Sequence, residues 1–175
     1  MKRKLIITFC LVVIGLILFP KNFEFHKLRE RPGTIEIPDS IYDFTINHIY
    51  ASHASGVSRE CAEVTCKLLK FSFDQDVLFV NEVSKAHCVT YARLCATLCN
   101  KMFEEYEIDA EAIPVVGYIT INGVNINKLL VSIVPKKYEH YFVDHDMVEI
   151  RLEGKLLWFI DPTEREFIGR ERVYH

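Results

Sequence analysis

The sequence predicts an α+β domain in which N-terminal helices precede an antiparallel sheet. Up to about residue 105 the apolar residues recur at helical spacing, whereas residues 113–121, 140–152 and 156–161 are rich in β-branched and aromatic side chains. Helices followed by a run of strands are typical of α+β folds rather than of alternating parallel folds. Half of the 175 residues are apolar, which is enough for one hydrophobic core, so we expect a single folded domain.

Charge and cysteine spacing disfavour several function classes. The formal net charge is −3, and there is no long basic run, so we expect no nucleic-acid partner. The six cysteines include no C-x-x-C pair and the histidines are not spaced like zinc ligands, so we expect no metal and no cofactor. In an exported domain, Cys61 or Cys66 could form a disulfide with Cys95 or Cys99, and the sequence leaves this open.

The N-terminus has the layout of a targeting segment. Three basic residues at positions 2–4 precede an uncharged apolar run at residues 5–19, which indicates a signal peptide or a signal anchor over residues 1–20. As a helix the run spans roughly 22 Å, short of the ~30 Å hydrocarbon core, so its length does not distinguish a signal peptide from a signal anchor. No A-x-A-like cleavage pattern follows the run, which favours an uncleaved anchor. The alternative is a buried helix of a soluble protein. We expect a bacterial envelope protein with its domain outside the cytoplasm.

The predicted domain begins after a charged connector. Residues 21–34 mix charges with a Pro-Gly pair, which predicts a linker before a domain over residues 35–175. Asp39 or Ser40 is predicted to cap a first helix and Ser58 a second, because apolar residues follow each at helical spacing.

A long amphipathic helix is predicted from about residue 88 to residue 105, and Cys88 stands at its start. The apolar stripe on the side of Cys88 comprises Ala92, Cys95, Ala96, Cys99, Met102 and Phe103. A thiol at a helix N-terminus lies beside free N–H groups and the positive end of the helix dipole, which lowers its pKa. Cys88 is therefore the candidate nucleophile; the alternative is one more small core residue.

A predicted hairpin brings a histidine and an acid together. A three-residue loop, Leu152-Glu153-Gly154, with a left-handed Gly and a G1 bulge would pair Arg151 with Lys155. Counting back along both strands then sets His145 opposite Asp161, give or take one residue. An imidazole and a carboxylate can hydrogen-bond there, which would fix the tautomer and leave the other ring nitrogen for Cys88. The alternatives are a surface histidine and an acid that only forms a turn.

Three blocks in the chain resemble the transglutaminase-like superfamily of papain-related cysteine enzymes. Residues 86–94 (AHCVTYARL) resemble its G-x-C-x-x-x-A nucleophile helix. Residues 145–150 (HDMVEI) are similar to H-x-W-V-E-V on its base strand, and residues 157–163 (LWFIDPT) are close to W-x-x-x-D-P-T on the next strand. The blocks occur in the order of the family.

The resemblance implies a Cys-His-Asp triad. It implies Cys88 as nucleophile, His145 as general base and acid, and Asp161 as the residue that orients the imidazole. It also implies a transglutaminase-like, papain-like fold in which the nucleophile helix packs on the sheet, here preceded by one N-terminal hydrophobic helix. Gln75 and Asn81 are loose candidates for the family's second oxyanion donor.

Departures from the family pattern occur near each block. Ala86 replaces a Gly two residues before the nucleophile, Met147 stands where the family usually has Trp, and Glu111 stands where it usually has Arg. The loss of the Trp concerns the shape of the cleft and the choice of substrate. These departures motivate a second hypothesis, a catalytically inactive transglutaminase-like binding module of the cell envelope.

The resemblance and the residues together predict a membrane-anchored cysteine hydrolase or acyltransferase. It would act on an amide or peptide bond through a thioester. The expected partners are a protein or peptide substrate, with peptidoglycan peptides as one candidate, and a membrane through the N-terminal helix. A thiol-exchange protein is the third hypothesis, which the missing C-x-x-C pair disfavours.

Overall fold

The computed structural model describes residues 23–72, 84–163 and 173–174. The helices in these ranges are α1 (Asp39–Ile46), α2 (Ala54–Leu68), α3 (Cys88–Glu105), α4 (Ile126–Val131) and a 3₁₀ helix (Lys136–Tyr141). The strands are β1 (Phe23–Glu30), β2 (Leu69–Phe71), β3 (Ser84–Ala86), β4 (Ala110–Ile121), β5 (Val124–Asn125), β6 (His145–Leu152), β7 (Lys155–Ile160) and β8 (Val173–Tyr174).

The main sheet is antiparallel throughout the described residues. Its strands follow the order β1-β4-β6-β7-β8, with β5 paired to β4, and β2 and β3 form a separate parallel pair. β1 and β8 stand at opposite ends of this order yet approach each other, so the sheet curls. The predicted α+β class with an antiparallel sheet is confirmed.

The predicted helix over residues 88–105 is confirmed as α3, which forms the centre of the core. It packs against α2 on one side and against β4 and β6 on the other. Because it is covered from two sides, its buried surface is wider than the predicted stripe and includes Leu94 and Leu98, both fully buried. Asn100 fixes α3 to β4, since its side chain accepts from Ala112 N–H at 2.7 Å and donates to the Ala112 carbonyl at 2.8 Å.

Residues 23–30 are a strand of the sheet, so their interpretation as part of a linker is wrong. β1 pairs antiparallel with β4, from Phe23 opposite Ile121 onward. Phe25 is buried on the sheet face that points away from α3 and packs on Phe159, with ring centroids 4.9 Å apart. The alternation of apolar and polar residues in Phe-Glu-Phe-His is a strand pattern, and the surrounding charges concealed it in the sequence.

The start of α2 also differs from the prediction. α2 begins at Ala54, and Ser58 lies buried inside it rather than at its cap, with its hydroxyl donating to the Ser55 carbonyl at 3.2 Å. A serine inside a helix bonds back to the preceding turn in this way, so its presence alone does not mark a helix start. α1 begins at Asp39 with Pro38 at the N-cap position and no side-chain cap, so the predicted cap by Asp39 or Ser40 is wrong.

The predicted hydrophobic helix over residues 1–20 lies outside the described residues. Within the ranges 23–72, 84–163 and 173–174, no helix has both the length and the apolar character that crossing a membrane requires.

The β6–β7 hairpin has a two-residue turn rather than the predicted three-residue loop. Leu152 pairs with Lys155, so Glu153 and Gly154 form the turn, with φ values of 52° and 74°. Positive φ at both central residues is the pattern of a type I′ turn, whose twist matches that of the flanking strands. The predicted pairing of Arg151 with Lys155 is therefore wrong by one residue at the turn.

This turn predicts two stability effects of opposite sign. Gly154→Ala should lower the free energy of unfolding by roughly 1 kcal/mol, because a side chain is strained at positive φ. Glu153→Asn should raise it by about 0.5 kcal/mol, because Asn adopts positive φ more readily than Glu. Urea unfolding of the full-length chain in mild detergent, followed by circular dichroism, measures both. Lys155→Ala is the control, and an unchanged stability of Gly154→Ala would contradict the turn.

Candidate active site

Strand β3 and the start of α3 position Cys88. β3 pairs in parallel with β2, and Ser72 N–H donates to the Ala86 carbonyl at 2.7 Å. His87 is the N-cap residue of α3, and its Nδ1 accepts from Val89 N–H at 3.3 Å. Cys88 is therefore the first residue of the helix. An α-helix leaves its first N–H groups without intrahelical partners and its dipole is positive there, so this position favours an anion.

His145 and Asp161 meet at one side of the site, where β6 begins and the neighbouring strand β7 ends. His145 opens β6 opposite Gly117 of β4, and Asp161 directly follows β7. The Nε2 of His145 donates to the Oδ2 of Asp161 at 2.6 Å. Asp161 is buried, and its Oδ1 accepts from the backbone N–H and the hydroxyl of Thr163. Because the carboxylate is held from both sides, it fixes the orientation of the imidazole.

The contact between His145 and Asp161 is present although the predicted register is not. A bulge next to Ile150 shifts the pairing further, and Val148 stands opposite Ile160. Extending this pairing by one residue sets Met147 opposite Asp161, so His145 lies two residues further along β6, toward its start. The two side chains therefore meet diagonally, which is within reach of long side chains on adjacent strands.

The thiol of Cys88 is held by two histidines. Burial raises the pKa of Cys88, but hydrogen bonds with His145 and His87, together with the charge of His145, outweigh it and lower the pKa overall. Since Asp161 occupies Nε2 of His145, Nδ1 is the ring nitrogen left to face the sulfur. His87 thus caps the helix and also contacts the nucleophile candidate, a role that no pattern in the sequence predicts.

The imidazole of His145 responds in the opposite direction. Burial alone would lower the pKa of His145, but the charge of Asp161, its hydrogen bond and the contact with Cys88 raise it well above its ordinary value. A lowered thiol pKa and a raised imidazole pKa favour a thiolate beside an imidazolium over a neutral pair. Such a pair holds both a nucleophile and a proton donor in its resting state.

Two charged residues that the sequence did not single out also reach the site. Asp146 follows His145 on β6 and is 1% exposed, and its Oδ2 lies 3.6 Å from the Sγ of Cys88. Arg31, just after β1, forms an ion pair with Asp146, and its Nη2 lies 4.0 Å from the Oδ2 of Asp144. Arg31 lay in the predicted linker, so no pattern in the sequence connected it with the site.

Four other cysteines lie in the described part of the chain. Cys61, Cys66, Cys95 and Cys99 form no disulfide there, and neither does Cys88. Burial raises the pKa of both Cys61 and Cys99, which keeps them protonated and inert. Among the described residues, no group of three or more His, Cys, Asp or Glu side chains is placed to hold a metal ion.

The loosely considered oxyanion donors Gln75 and Asn81 lie outside the described residues. The described part of the site offers one backbone donor position, the N–H of Cys88 in the first turn of α3.

No family model, no curated protein and no solved structure matches this chain. The chemistry of the site therefore has to be argued from its own geometry, in which Cys88 lies against His145 and His145 against Asp161.

The geometry predicts how the site titrates. The thiolate–imidazolium pair exists above the lowered pKa of Cys88 and below the raised pKa of His145. Asp161→Asn removes the charge that holds the imidazolium, so the pKa of His145 should fall and that of Cys88 should rise. We expect the acid limb of Cys88 alkylation by iodoacetamide to move up by about one pH unit. Peptide mass spectrometry of the full-length chain, alkylated over a range of pH, measures this shift.

Asp109→Asn provides the matched control for this measurement. It removes an exposed carboxylate beside the opposite end of β6 from His145, so the acid limb should stay in place. An identical profile in Asp161→Asn and Asp109→Asn would contradict the role of the carboxylate.

Proposed function

We propose that this protein is a transglutaminase-like cysteine hydrolase or acyltransferase that acts on an amide or peptide bond through a thioester. The observation that carries the proposal is the placement of the Cys88 thiol at the N-terminus of α3, hydrogen-bonded to a histidine whose other ring nitrogen lies 2.6 Å from Asp161. A nucleophile, a base within hydrogen-bond reach and a group that orients the base are the parts that acyl transfer requires.

The first half of the proposed reaction forms the thioester. The Cys88 thiolate attacks the carbonyl carbon of the amide, a C–S bond forms, and negative charge develops on the carbonyl oxygen. The backbone N–H of Cys88, in the first turn of α3, stabilises this oxyanion. The His145 imidazolium gives its proton to the amide nitrogen, the C–N bond breaks, and a free amine leaves. Asp161 keeps the ring in position and stabilises its positive charge.

The second half releases the acyl group. Neutral His145 takes a proton from water or from a second amine, which attacks the thioester carbon. The C–S bond breaks and yields a carboxylic acid or a new amide. The thiolate and the imidazolium are restored, so the cycle closes without a cofactor.

The finer fold assignment belongs to the same proposal. The order of the three sequence blocks and the packing of α3 on β4 and β6 support a transglutaminase-like arrangement. The inactive-module alternative rests on Met147 and on the altered surroundings of the nucleophile, such as Ala86. The Met147 side chain is fully buried with Phe25, Val115 and Phe159 on the sheet face away from α3. The replacement of Trp by Met therefore changes the packing of this cluster more than the surroundings of the thiol. This favours the active enzyme over the inactive module.

The N-terminal sequence supports a location for this activity. The basic residues and the apolar run over residues 1–20 lead us to propose a membrane-anchored protein with its domain outside the cytoplasm, in a bacterial envelope. Peptides of the envelope, including those of peptidoglycan, are then the substrates within reach.

Activity on such peptides should depend on one cysteine. We expect the full-length chain, incubated with peptidoglycan fragments and a peptide library, to release amines from at least one peptide. Cys88→Ala should reduce this release at least 1,000-fold, because removal of a catalytic nucleophile lowers the turnover rate by about 10⁴-fold or more. Mass spectrometry of the products measures hydrolysis and transfer separately.

Cys95→Ala and Cys99→Ala are the matched controls, because both thiols lie on α3 but are buried away from the site. Each variant should retain both peptide turnover and iodoacetamide labelling of Cys88. If all three variants lose labelling equally, or if Cys88→Ala keeps the turnover of the unaltered chain, the proposed enzyme is wrong.

A further inference from the structure

A partly buried ion pair links the edge strand β1 to the nucleophile candidate. Arg31 is fixed by its own backbone, since its N–H donates to the Pro114 carbonyl at 2.8 Å. Its guanidinium pairs with Asp146, and Nη2 lies 3.4 Å from Oδ2. The same Oδ2 lies 3.6 Å from the Sγ of Cys88, within the range of a hydrogen bond from a thiol. Arg31, Asp146 and Cys88 thus form a continuous chain of contacts.

We propose that Arg31 and Asp146 are positioning residues for Cys88, and that the charge of Arg31 is what allows Cys88 to ionise beside a buried carboxylate. This inference rests on the proposed function, because it concerns the activation of the same thiol.

The physical reason is the sign of the charges around the sulfur. A carboxylate at this distance, buried away from water, opposes a negative charge on Cys88. The guanidinium of Arg31 offsets the charge of Asp146, so the net charge effect on the thiol is that of His145. Without Arg31, the site would hold two neighbouring anions against one imidazolium.

The other charged groups near the thiol do not replace Arg31. His87 lies on the same helix end, His145 and Asp144 lie on or beside β6, and Asp161 follows β7. Among these described residues, His145 is the one that carries a positive charge, since the Nδ1 of His87 accepts a hydrogen bond from Val89 N–H, and the charge of His145 also pairs with Asp161. Burial raises the pKa of Asp146, whereas Arg31 lowers it, which agrees with a carboxylate that depends on its partner.

The consequence is a dependence of the nucleophile on the N-terminal strand. Arg31 lies one residue beyond β1, so it reaches Asp146 only when β1 is paired with β4. Displacement of β1 would remove the guanidinium and return Cys88 toward an ordinary thiol. The segment that leads from the predicted anchor therefore takes part in activating the site.

A double-mutant cycle on the full-length chain in mild detergent tests the pair. The variants are Arg31→Met, Asp146→Asn and their combination, and the readout is the rate of iodoacetamide alkylation of Cys88 from about pH 4 to about pH 10. Peptide mass spectrometry follows Cys88, with Cys66 in the same molecule as reference. Arg29→Met is the control, because it removes an exposed cation from β1 that does not reach Asp146.

We expect Arg31→Met to move the acid limb of the Cys88 profile up by about one pH unit, a roughly tenfold slower reaction below that limb. Asp146→Asn should move it down, because the opposing charge is gone. In the double variant the effect of Arg31→Met should disappear. Arg31→Lys, which keeps the charge, should restore most of the original profile.

Three results would overturn the inference: an Arg31→Met profile equal to that of Arg29→Met, an effect of Arg31→Met of the same size in the Asp146→Asn background, or an Asp146→Asn profile that does not move down. If circular dichroism shows that Arg31→Met is unfolded, Asp146→Asn and Arg31→Lys decide the question alone. An ordinary acid limb for Cys88 in the unaltered chain is a different outcome, which would contradict the proposed function itself.

Discussion

The hydrogen bond between His145 and Asp161 is the contact on which the proposed chemistry depends. It forms because β6 begins at His145 and β7 ends just before Asp161, so the two side chains lie where the ends of neighbouring strands meet. The carboxylate is itself held by Thr163, which leaves little freedom for the ring. A fixed, positively charged imidazole is what turns a thiol at a helix end into a nucleophile.

The fold keeps the thiol and the imidazole in register by rigid packing. α3 is buried between α2 and the sheet, and Asn100 ties it to the backbone of β4 at Ala112. β6, which carries His145, pairs with the same strand. Cys88 and His145, the proposed nucleophile and base, are therefore supported by a common strand, so the core that stabilises the domain also sets their distance.

Local patterns could be read from the sequence, and long-range contacts could not. The helix that begins at Cys88 has strong periodicity, and its prediction is confirmed. The contact of His145 with Asp161 could be predicted from the hairpin that joins their strands, although the predicted turn length was wrong. An error of one or two residues in strand register still leaves two long side chains within reach of each other. The α+β class followed from the order of helical and strand-like segments alone.

Strand β1 and the ion pair of Arg31 could not be predicted because their partners are distant in the chain, whereas the cap formed by His87 is local and escaped prediction for a different reason. β1 is stable only through pairing with β4, and its charged residues hide the alternation. The ion pair of Arg31 with Asp146 joins residues far apart in sequence, and both are polar residues that usually stay in water. The cap formed by His87 depends on a ring nitrogen replacing the usual Ser, Thr, Asp or Asn oxygen.

The charge state of His145 in the resting protein tests the account most directly. In the full-length chain labelled with ¹⁵N-histidine, nuclear magnetic resonance at neutral pH reports whether each ring carries one proton or two. We expect His145 to carry two protons at neutral pH and Cys88→Ala to lower the pKa of His145, because the thiolate partner is lost. A neutral His145 that titrates near its ordinary pKa of about 6.5 and ignores the loss of Cys88 would contradict this expectation.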